Sequence, residues 1–165
     1  MPEPSFILRP YAEADEAAAI ELWRRTWQQA YPVIDFDQRL DWWRRRWRSE
    51  ILPTATIIVA EREGDLVGFV TVMPATGYLD QIVVAPENWS SGLAEALLGE
   101  AKQLSPGGIA LHVNKDNRRA VRFYEKHGFV IQGDDRNQYS GRPVYKMSWR
   151  PSAEGTAGGS GSDPR

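Results

Sequence analysis

The stretch from residue 78 to residue 102 constrains the fold of this chain most, because it reads as a strand, a tight turn and a helix in direct succession. Residues 81–84 form a short β-branched run that predicts a buried strand, which Pro86 ends. After a turn of small and polar residues, apolar side chains recur at helical spacing from Leu93 to Ala101. Such a unit directs unpaired backbone N–H groups and the positive end of a helix dipole at one place. It predicts an anion-binding turn, although an ordinary capped crossover carries the same residue types.

A second unit with a related layout follows. Residues 111–113 predict another short strand, and Asn117 is placed to cap a helix over residues 118–126. Gly128 stands where a helix commonly ends in a left-handed conformation. Tyr124 lies seven residues after Asn117, two helical turns along one face, so both side chains can approach the same ligand.

The two units together resemble the GNAT superfamily of N-acetyltransferases, and the likeness runs from residue 6 to residue 149. The first unit matches the acyl-CoA motif V-x-P-x-x-(Arg/Gln)-x-x-G-x-(Gly/Ala) at Val84, Pro86, Trp89, Gly92 and Ala94. The second matches the motif N-x-x-A-x-x-x-Y-x-x-x-G-F at Asn117, Ala120, Tyr124, Gly128 and Phe129.

The chain departs from the family pattern in the turn itself. Trp89 stands where Arg or Gln is common, and Ser90 and Ser91 occupy positions that are often Gly and basic. Backbone amides do most of the phosphate binding in the family, so the resemblance still implies that coenzyme A binds here. It implies a cofactor-binding set made of strand amides, the turn and the second unit: Ile82, Val83, Val84, Trp89, Ser90, Ser91, Gly92, Leu93, Ala94, Asn117 and Tyr124.

The resemblance implies a fold and a reaction. The fold is α/β, with a mixed, mostly antiparallel central sheet that is flanked by helices and splayed between strands four and five. The reaction moves an acetyl group from acetyl-CoA, the acyl donor, to a primary amine of a small molecule or protein by direct attack in a ternary complex. Such an attack needs a donor for the developing oxyanion and a proton for the departing thiolate.

Two side chains are the candidate catalytic groups. Tyr124 is the candidate general acid, because tyrosine is protonated at neutral pH and can donate to sulfur; the alternative is a core aromatic residue with its hydroxyl at the surface. Asp80 is the candidate base, since related acetyltransferases carry an acidic residue at this place, and Glu61 is the second choice. Asp80 can equally be a solvated carboxylate at the start of a strand, with water removing the proton.

Composition limits the other possibilities. The 165 residues fit one domain, which we expect over residues 1–150, followed by a flexible Gly- and Ser-rich tail over residues 151–165. The chain has no cysteine, and neither His112 nor His127 has a partner spacing that suggests zinc, so we expect no metal. A net charge of −2 gives no overall attraction to nucleic acid or membrane. No secretory signal or membrane span is apparent, so we expect a cytoplasmic monomer or homodimer.

The remaining segments complete the predicted order. Residues 5–9 predict a first strand, and residues 56–61 and 66–73 predict a hairpin. The helix after the first strand carries Trp23 and Trp27, and a second helix over residues 37–51 has one apolar stripe: Leu40, Trp43, Trp47 and Ile51. Its arginines are expected largely off that stripe. Residues 133–137 are expected to be a polar loop before closing strands at Tyr139 and over residues 143–149.

Two other functions stay open at this point. The irregular turn is compatible with a CoA-binding regulatory domain or pseudoenzyme without turnover. Basic and aromatic residues interleave from Trp42 to Arg48, which could mark an RNA-binding surface, although the Trp spacing is that of a buried helix face. The sequence leaves the acceptor amine open. The resemblance places four aromatic residues and one acidic residue in the segments that usually wall the acceptor site, which suggests an aromatic pocket for an amine: Trp23, Trp27, Tyr31, Trp42 and Asp35.

Overall fold

The first of two units in the structure, a computed structural model that describes residues 6–151, is built on an antiparallel sheet and ends at Leu104. Its strands are β1 (Ile7–Pro10), β2 (Thr56–Arg62), β3 (Asp65–Met73) and β4 (Tyr78–Val84). They pair in chain order, each antiparallel to the next. The predicted hairpin between β2 and β3 is confirmed: its two turn residues, Glu63 and Gly64, have φ of 54° and 87°, as a tight two-residue turn requires.

The helices of this unit follow the predicted order with one irregularity. Helix α1 (Glu16–Ala30) follows β1, and α4 (Leu93–Leu104) follows the turn after β4. The helix predicted over residues 37–51 is instead a succession of short segments. They are a 3₁₀ turn (Asp37–Arg39), α2 (Leu40–Arg46), a π-helical turn (Trp47–Ile51) and α3 (Leu52–Thr54).

The two faces of the sheet carry different cores. A Cβ built on Gly68 of β3 would lie 3.1 Å and 3.2 Å from side-chain atoms of Leu97 and Leu93, so α4 packs directly on this face. The next residue, Phe69, points to the opposite face, where its ring meets Trp47 edge-on at 5.4 Å. The aromatic helix stripe is therefore buried against the face opposite α4.

The prediction that the arginines of this helix lie off the stripe is wrong for Arg46. Trp43, Trp47 and Ile51 are buried as predicted, and Arg46 is buried with them at 8% exposure. Arg46 follows Trp43 by three positions and therefore shares its face of the helix. The guanidinium carbon lies 5.5 Å from the Trp43 ring centroid, so the cation packs on the aromatic face.

The second unit begins at Ser105 and has a three-stranded antiparallel sheet beside one helix. Its elements are β5 (Ile109–Asn114), α5 (Arg118–Lys126), β6 (Val130–Arg136) and β7 (Pro143–Trp149). Strand β7 pairs with both β5 and β6. The polar loop predicted over residues 133–137 is wrong, because Gly133 to Arg136 continue β6 against β7. Most side chains of β6 are exposed, so the strand accepts polar residues.

Parts of the predicted organisation lie beyond these observations. Residues 1–5, including the start of the predicted first strand, and residues 152–165 of the predicted tail lie outside the described residues. The single domain predicted over residues 1–150 and the splay predicted between strands four and five stay predictions.

Candidate active site

The turn between β4 and α4 has an unusual backbone for its sequence. Ser90 and Gly92 both lie in the left-handed region, with φ of 66° and 92°. Glycine adopts that region freely, whereas a serine there costs about 1 kcal/mol. Left-handed residues in a short turn expose successive backbone N–H groups on one concave side, which is how such turns bind anions. The turn therefore has a concave backbone, and anion binding by it stays a prediction.

Side chains of the turn hold that shape. The Trp89 indole N–H donates to the Val84 carbonyl over 2.8 Å, and the Leu93 N–H donates to the Ser91 hydroxyl oxygen over 3.3 Å. The first backbone hydrogen bond across the start of α4 runs from the Ala96 N–H to the Gly92 carbonyl over 3.1 Å. The N–H groups that precede Ala96, including that of Ala94, are left outside the helical ladder, as at any helix start.

Strand β4 leads into this turn through the predicted donor-binding segment, Ile82 to Val84. Against β3, Ile82 pairs with Val70, Val83 with Phe69 and Val84 with Gly68. Successive N–H groups of a strand point to opposite sides, so β3 can use only alternate amides of this segment. At least one amide of residues 82–84 therefore points away from β3, as the predicted contact with an acyl donor requires.

Asp80, the candidate base, is the extra residue of a β-bulge. Thr71 of β3 pairs with Gln81 and Val72 pairs with Leu79, which leaves Asp80 without an opposing residue. The N–H of Gln81 donates instead to the Thr71 hydroxyl oxygen over 3.1 Å. A bulge turns successive side chains to the same side of the sheet, and both Asp80 and Gln81 contact residues of the helices.

The Asp80 carboxylate is held by a buried guanidinium. Arg46 Nη2 donates to Oδ1 over 2.6 Å and Nη1 donates to Oδ2 over 2.9 Å, a two-pronged ion pair. Both side chains are only 8% exposed. Arg46 Nε also donates to Glu50 over 3.1 Å. Sequence reasoning missed this partner, although the position of Arg46 on the Trp43 stripe was a signal for it.

Glu61, the second candidate base, is also paired with an arginine. It accepts a hydrogen bond from Arg9, which forms two more with Asp15, over 2.9 Å and 2.8 Å. Thr71, the residue beside the Asp80 bulge, pairs with Ile57 on β2, and Glu61 lies four residues further along, about 13 Å at strand spacing. The two candidate carboxylates therefore belong to separate ion-pair clusters.

Asn117 and Tyr124 lie near opposite ends of α5 in the second unit. The Asn117 side chain accepts the Ala120 N–H over 3.2 Å and caps α5. The Tyr124 ring is 6% exposed and lies 5.4 Å from Phe129, while its carbonyl accepts the N–H groups of His127 and Phe129 over 3.0 Å each. Gly128 has a φ of 93°, the left-handed helix end that the sequence predicted. The Tyr124 ring thus packs on Phe129, while the backbone carbonyl of Tyr124 closes the end of α5.

The predicted aromatic wall is only partly at the surface. Trp23 is buried and stacks on Trp43 with ring centroids 4.6 Å apart, so it belongs to the core. Trp27 is half-buried and stacks on Tyr31 at 5.8 Å. Asp35 is exposed and accepts the N–H of Asp37 over 3.0 Å, just before the 3₁₀ turn. The exposed aromatic surface is therefore narrower than predicted.

The segment from Trp42 to Arg48, which the RNA-binding alternative uses, has two of its three tryptophans in the core, and Trp42 is half-buried. Trp43 and Trp47 are 1% and 0% exposed. Arg46 pairs with Asp80 and Arg48 pairs with Glu16, the latter through two hydrogen bonds of 2.9 Å and 2.8 Å. Nucleic-acid stacking requires accessible aromatic faces, which these two rings do not offer.

Residues 6–151 meet neither the requirement for a metal-binding cluster nor that for a membrane-spanning helix. Within this range, no group of three or more His, Cys, Asp or Glu side chains is arranged to hold a metal ion. Over the same range, every helix is too short or too polar to cross a bilayer.

Known proteins are similar to this chain in sequence and in fold. The chain matches the model of the acetyltransferase (GNAT) family over residues 17–129. It is 29% identical over 146 residues to the peptidyl-lysine N-acetyltransferase YiaC of Escherichia coli K12, covering 87% of this chain and 96% of that protein. It is 31% identical over 126 residues to the peptidyl-lysine N-acetyltransferase YjaB of Salmonella typhimurium LT2, covering 75% and 83%.

A solved structure confirms the predicted fold class. The crystal structure of the PaiA N-acetyltransferase of Thermoplasma acidophilum in complex with coenzyme A matches with a TM-score of 0.75 at 21% identity. The match covers 90% of this chain and 100% of that chain. The mixed α/β architecture implied by the two sequence motifs is therefore the fold of this chain.

Proposed function

We propose, from the premise that this chain belongs to the acetyltransferase (GNAT) family, that it transfers the acetyl group of acetyl-CoA to the side-chain amine of lysine in a protein or peptide. It is an N-acetyltransferase with acetyl-CoA as the acyl donor. The observation that carries the donor half of this proposal is the turn with two left-handed residues before α4. The lysine half is supported by two peptidyl-lysine N-acetyltransferases that match most of the chain.

The donor-binding residues are proposed as follows. The diphosphate of acetyl-CoA accepts hydrogen bonds from backbone N–H groups of the β4–α4 turn and of the start of α4. This region spans six residues: Trp89, Ser90, Ser91, Gly92, Leu93 and Ala94. The helix dipole and these amides favour an anion without a basic side chain. The Trp89 indole N–H is already used on Val84, so this residue acts by holding the turn. The pantetheine arm pairs with outward backbone groups of Ile82, Val83 and Val84.

The transfer itself balances as a single displacement. The neutral lysine nitrogen attacks the thioester carbonyl, a C–N bond forms and the C–S bond breaks, and the sulfur leaves with the electron pair. The nitrogen, which carries two protons after the attack, releases one to water and becomes the amide, and solvent returns a proton to the tyrosine that protonates the thiolate. A backbone N–H of β4 stabilises the oxyanion that develops on the carbonyl oxygen. We propose that the Tyr124 hydroxyl gives its proton to the departing thiolate, and that Asn117 positions the helix that carries it.

Lysine must lose a proton before it can attack. A free lysine has a pKa of about 10.4, so most of it is charged at neutral pH. Asp80 was the predicted acceptor of this proton, directly or through water, and that role stays a prediction. Both of its oxygens accept from Arg46, so a proton on either oxygen would weaken a charge-assisted ion pair.

The lysine acceptor also suits the surface around α1. Trp27 and Tyr31 are half-buried and stack with ring centroids 5.8 Å apart, and Val33 in the loop after α1 is 95% exposed. Phe36, which is buried, packs on Trp27 from the core side at 6.4 Å. A lysine side chain packs its methylene stem on such apolar surface while its amine reaches further. A fully charged polyamine would gain more from carboxylates than from this surface.

The proposal is tested with three acceptors that offer different kinds of amine. The purified chain is incubated with acetyl-CoA and an Nα-blocked lysine peptide, a lysine-free peptide with a free N-terminus, or spermidine. We expect CoA release and an ε-acetyl group with the first substrate. Binding of CoA without turnover on any of them would support the regulatory-domain alternative, and a preference for another amine would contradict the lysine assignment.

A cytoplasmic location, a monomeric or homodimeric state and the lack of a nucleic-acid partner are further proposals. Sedimentation of the purified chain and its retention on nucleic acid at low salt would test the last two.

A further inference from the structure

We infer that Arg46 and Asp80 form a positioning pair that sets the path of β4 through its donor-binding segment, residues 82–84. The inference rests on the proposed function, because it assumes that this segment binds the pantetheine arm. It assigns Asp80 to the geometry of the donor site and Arg46, which no sequence motif marked, to the same task.

The pair can affect the direction of β4 because Asp80 lies in the bulge. Asp80 is the unopposed residue, and Gln81, immediately after it, resumes the register with Thr71. Ile82 and Val83 then pair with Val70 and Phe69. A bulge bends its strand and increases the local twist, so its exact shape decides the direction in which the following residues run. The residue that fixes the bulge therefore fixes where the amides of Ile82 to Val84 point.

Two helices hold the bulge from the same face of the sheet. Arg46 at the end of α2 binds the Asp80 carboxylate through two nitrogens, over 2.6 Å and 2.9 Å. Trp27 of α1 donates its indole N–H to the Gln81 side-chain oxygen over 3.4 Å. Gln81 Nε2 in turn donates to Asp80 Oδ2 over 3.3 Å. The two bulge residues are thus tied to each other and to separate helices.

The form of the contact indicates geometry rather than stability. A buried ion pair contributes little net stability over apolar residues of the same volume, because both charges lose their hydration. A two-pronged arginine contact does fix distance and orientation more tightly than a lysine contact can. Arg46 is itself fixed by Glu50 and by the Trp43 ring, and a π-helical turn begins directly after it. Such turns are rare and occur frequently at functional sites.

The same contacts argue against Asp80 as the base. Its Oδ1 accepts from one guanidinium nitrogen, and its Oδ2 accepts from the other and from Gln81. Protonation would remove the charge that Arg46 needs in a buried place. A carboxylate held in this way acts through the strand that it shapes.

The test compares conservative variants of this pair with those of a more exposed pair, which joins the same helix succession to the start of α1. Arg46→Lys and Asp80→Asn keep size, and Arg48→Lys and Glu16→Gln change the Arg48–Glu16 pair, which has the same two-pronged form. Calorimetric titration with CoA needs no acceptor, so it is independent of the lysine assignment. We expect both buried variants to bind CoA about 10-fold more weakly or worse, and both exposed variants to bind within about twofold of the unaltered chain.

Steady-state kinetics of the same variants distinguish a positioning role of Asp80 from a role in proton transfer. For a positioning pair, Asp80→Asn and Arg46→Lys raise the KM for acetyl-CoA together, and the pH profile of kcat keeps its shape. If Asp80 is the base, Asp80→Asn lowers kcat at unchanged CoA affinity and abolishes the limb of the profile that reports its ionisation. That result would overturn the inference.

A double variant serves as the control for effects on folding. Arg46→Met with Asp80→Leu replaces both charges by apolar side chains of similar size, which commonly preserves stability. If this variant unfolds near the temperature of the unaltered chain and still binds CoA as tightly, the pair has no positioning role. If the unaltered chain itself does not bind CoA, the proposed function fails first, which the titration shows before any variant is made.

Discussion

The indole N–H of Trp89 donates to the carbonyl of Val84 over 2.8 Å and joins the end of β4 to the turn that follows it. The family motif usually has Arg or Gln where this chain has Trp89. The Trp89 ring therefore stabilises the turn through this hydrogen bond, and we expect backbone N–H groups to contact the phosphates. Trp89→Phe keeps the ring and removes the donor. One hydrogen bond of this kind is worth about 1 kcal/mol, so we expect CoA to bind about fivefold more weakly by calorimetry. Unchanged affinity would show that this hydrogen bond is dispensable.

Gly92 provides a test of the anion site with a built-in control. A Cβ added at Gly92 has no atom within 4 Å, but its φ of 92° strains any other residue. Gly92→Ala should therefore cost about 1–2 kcal/mol of stability and weaken CoA binding only modestly. Gly92→Glu adds the same strain and also a negative charge beside the phosphates, so binding should fall by at least about 100-fold. Equal affinities of the two variants would remove the turn from the CoA site.

Tyr124 is tested by removing its hydroxyl alone. Tyr124→Phe keeps the ring that packs against Phe129. General acid catalysis contributes about 10²–10⁴-fold, so we expect kcat to fall by about 100-fold or more while the CoA affinity stays close to that of the unaltered chain. Tyr139→Phe, at an exposed residue of the same unit, is the control and should leave kcat unchanged. A wild-type kcat for Tyr124→Phe would assign the ring to the core only.

Asp15 gives the unfolding free energy a pH dependence of known sign. Its hydrogen bonds from Arg9 hold the pKa of this carboxyl below its ordinary value, against the opposing effect of burial. The stabilisation is present above the unfolded pKa of about 4 and is lost as the pH falls through the lower folded value. Asp15→Asn should therefore cost about 1–3 kcal/mol at pH 7, and the difference from the unaltered chain should shrink below about pH 4.

Urea unfolding at several pH values measures this difference. Asp41→Asn is the control, because Asp41 is 85% exposed and its Arg44 contact is longer, at 3.3 Å. We expect it to change the free energy of unfolding by less than about 0.5 kcal/mol at any of these pH values. A constant Asp15→Asn difference down to pH 2 would mean that the lost hydrogen bonds do not depend on the charge.

The regular elements around the motifs were readable because each local signal agreed with the fold. The β-branched run before Pro86, the capping Asn117 and the left-handed Gly128 each depend on near neighbours in the sequence, and the structure confirms all three. Strand β6 was misjudged because its polar residues suggest a loop, whereas its pairing with β7 decides its conformation.

The site details that were missed depend on contacts between distant segments. The Asp80 bulge exists because β3 and β4 change register beside Thr71, and Arg46 reaches Asp80 across 34 residues of sequence. Spacing along one segment cannot reveal such a pair. The left-handed Ser90 was missed for another reason, since serine at that position is not typical of the conformation that the turn imposes.

The central claim is most directly tested by locating the acetyl group after reaction. The chain is incubated with acetyl-CoA and an Nα-blocked peptide that contains one lysine, and the product is fragmented in a mass spectrometer while released CoA is counted. We predict one ε-acetyl-lysine for each CoA released, and none with the Gly92→Glu variant. Tight binding of CoA with no acetylation of the lysine would contradict the account.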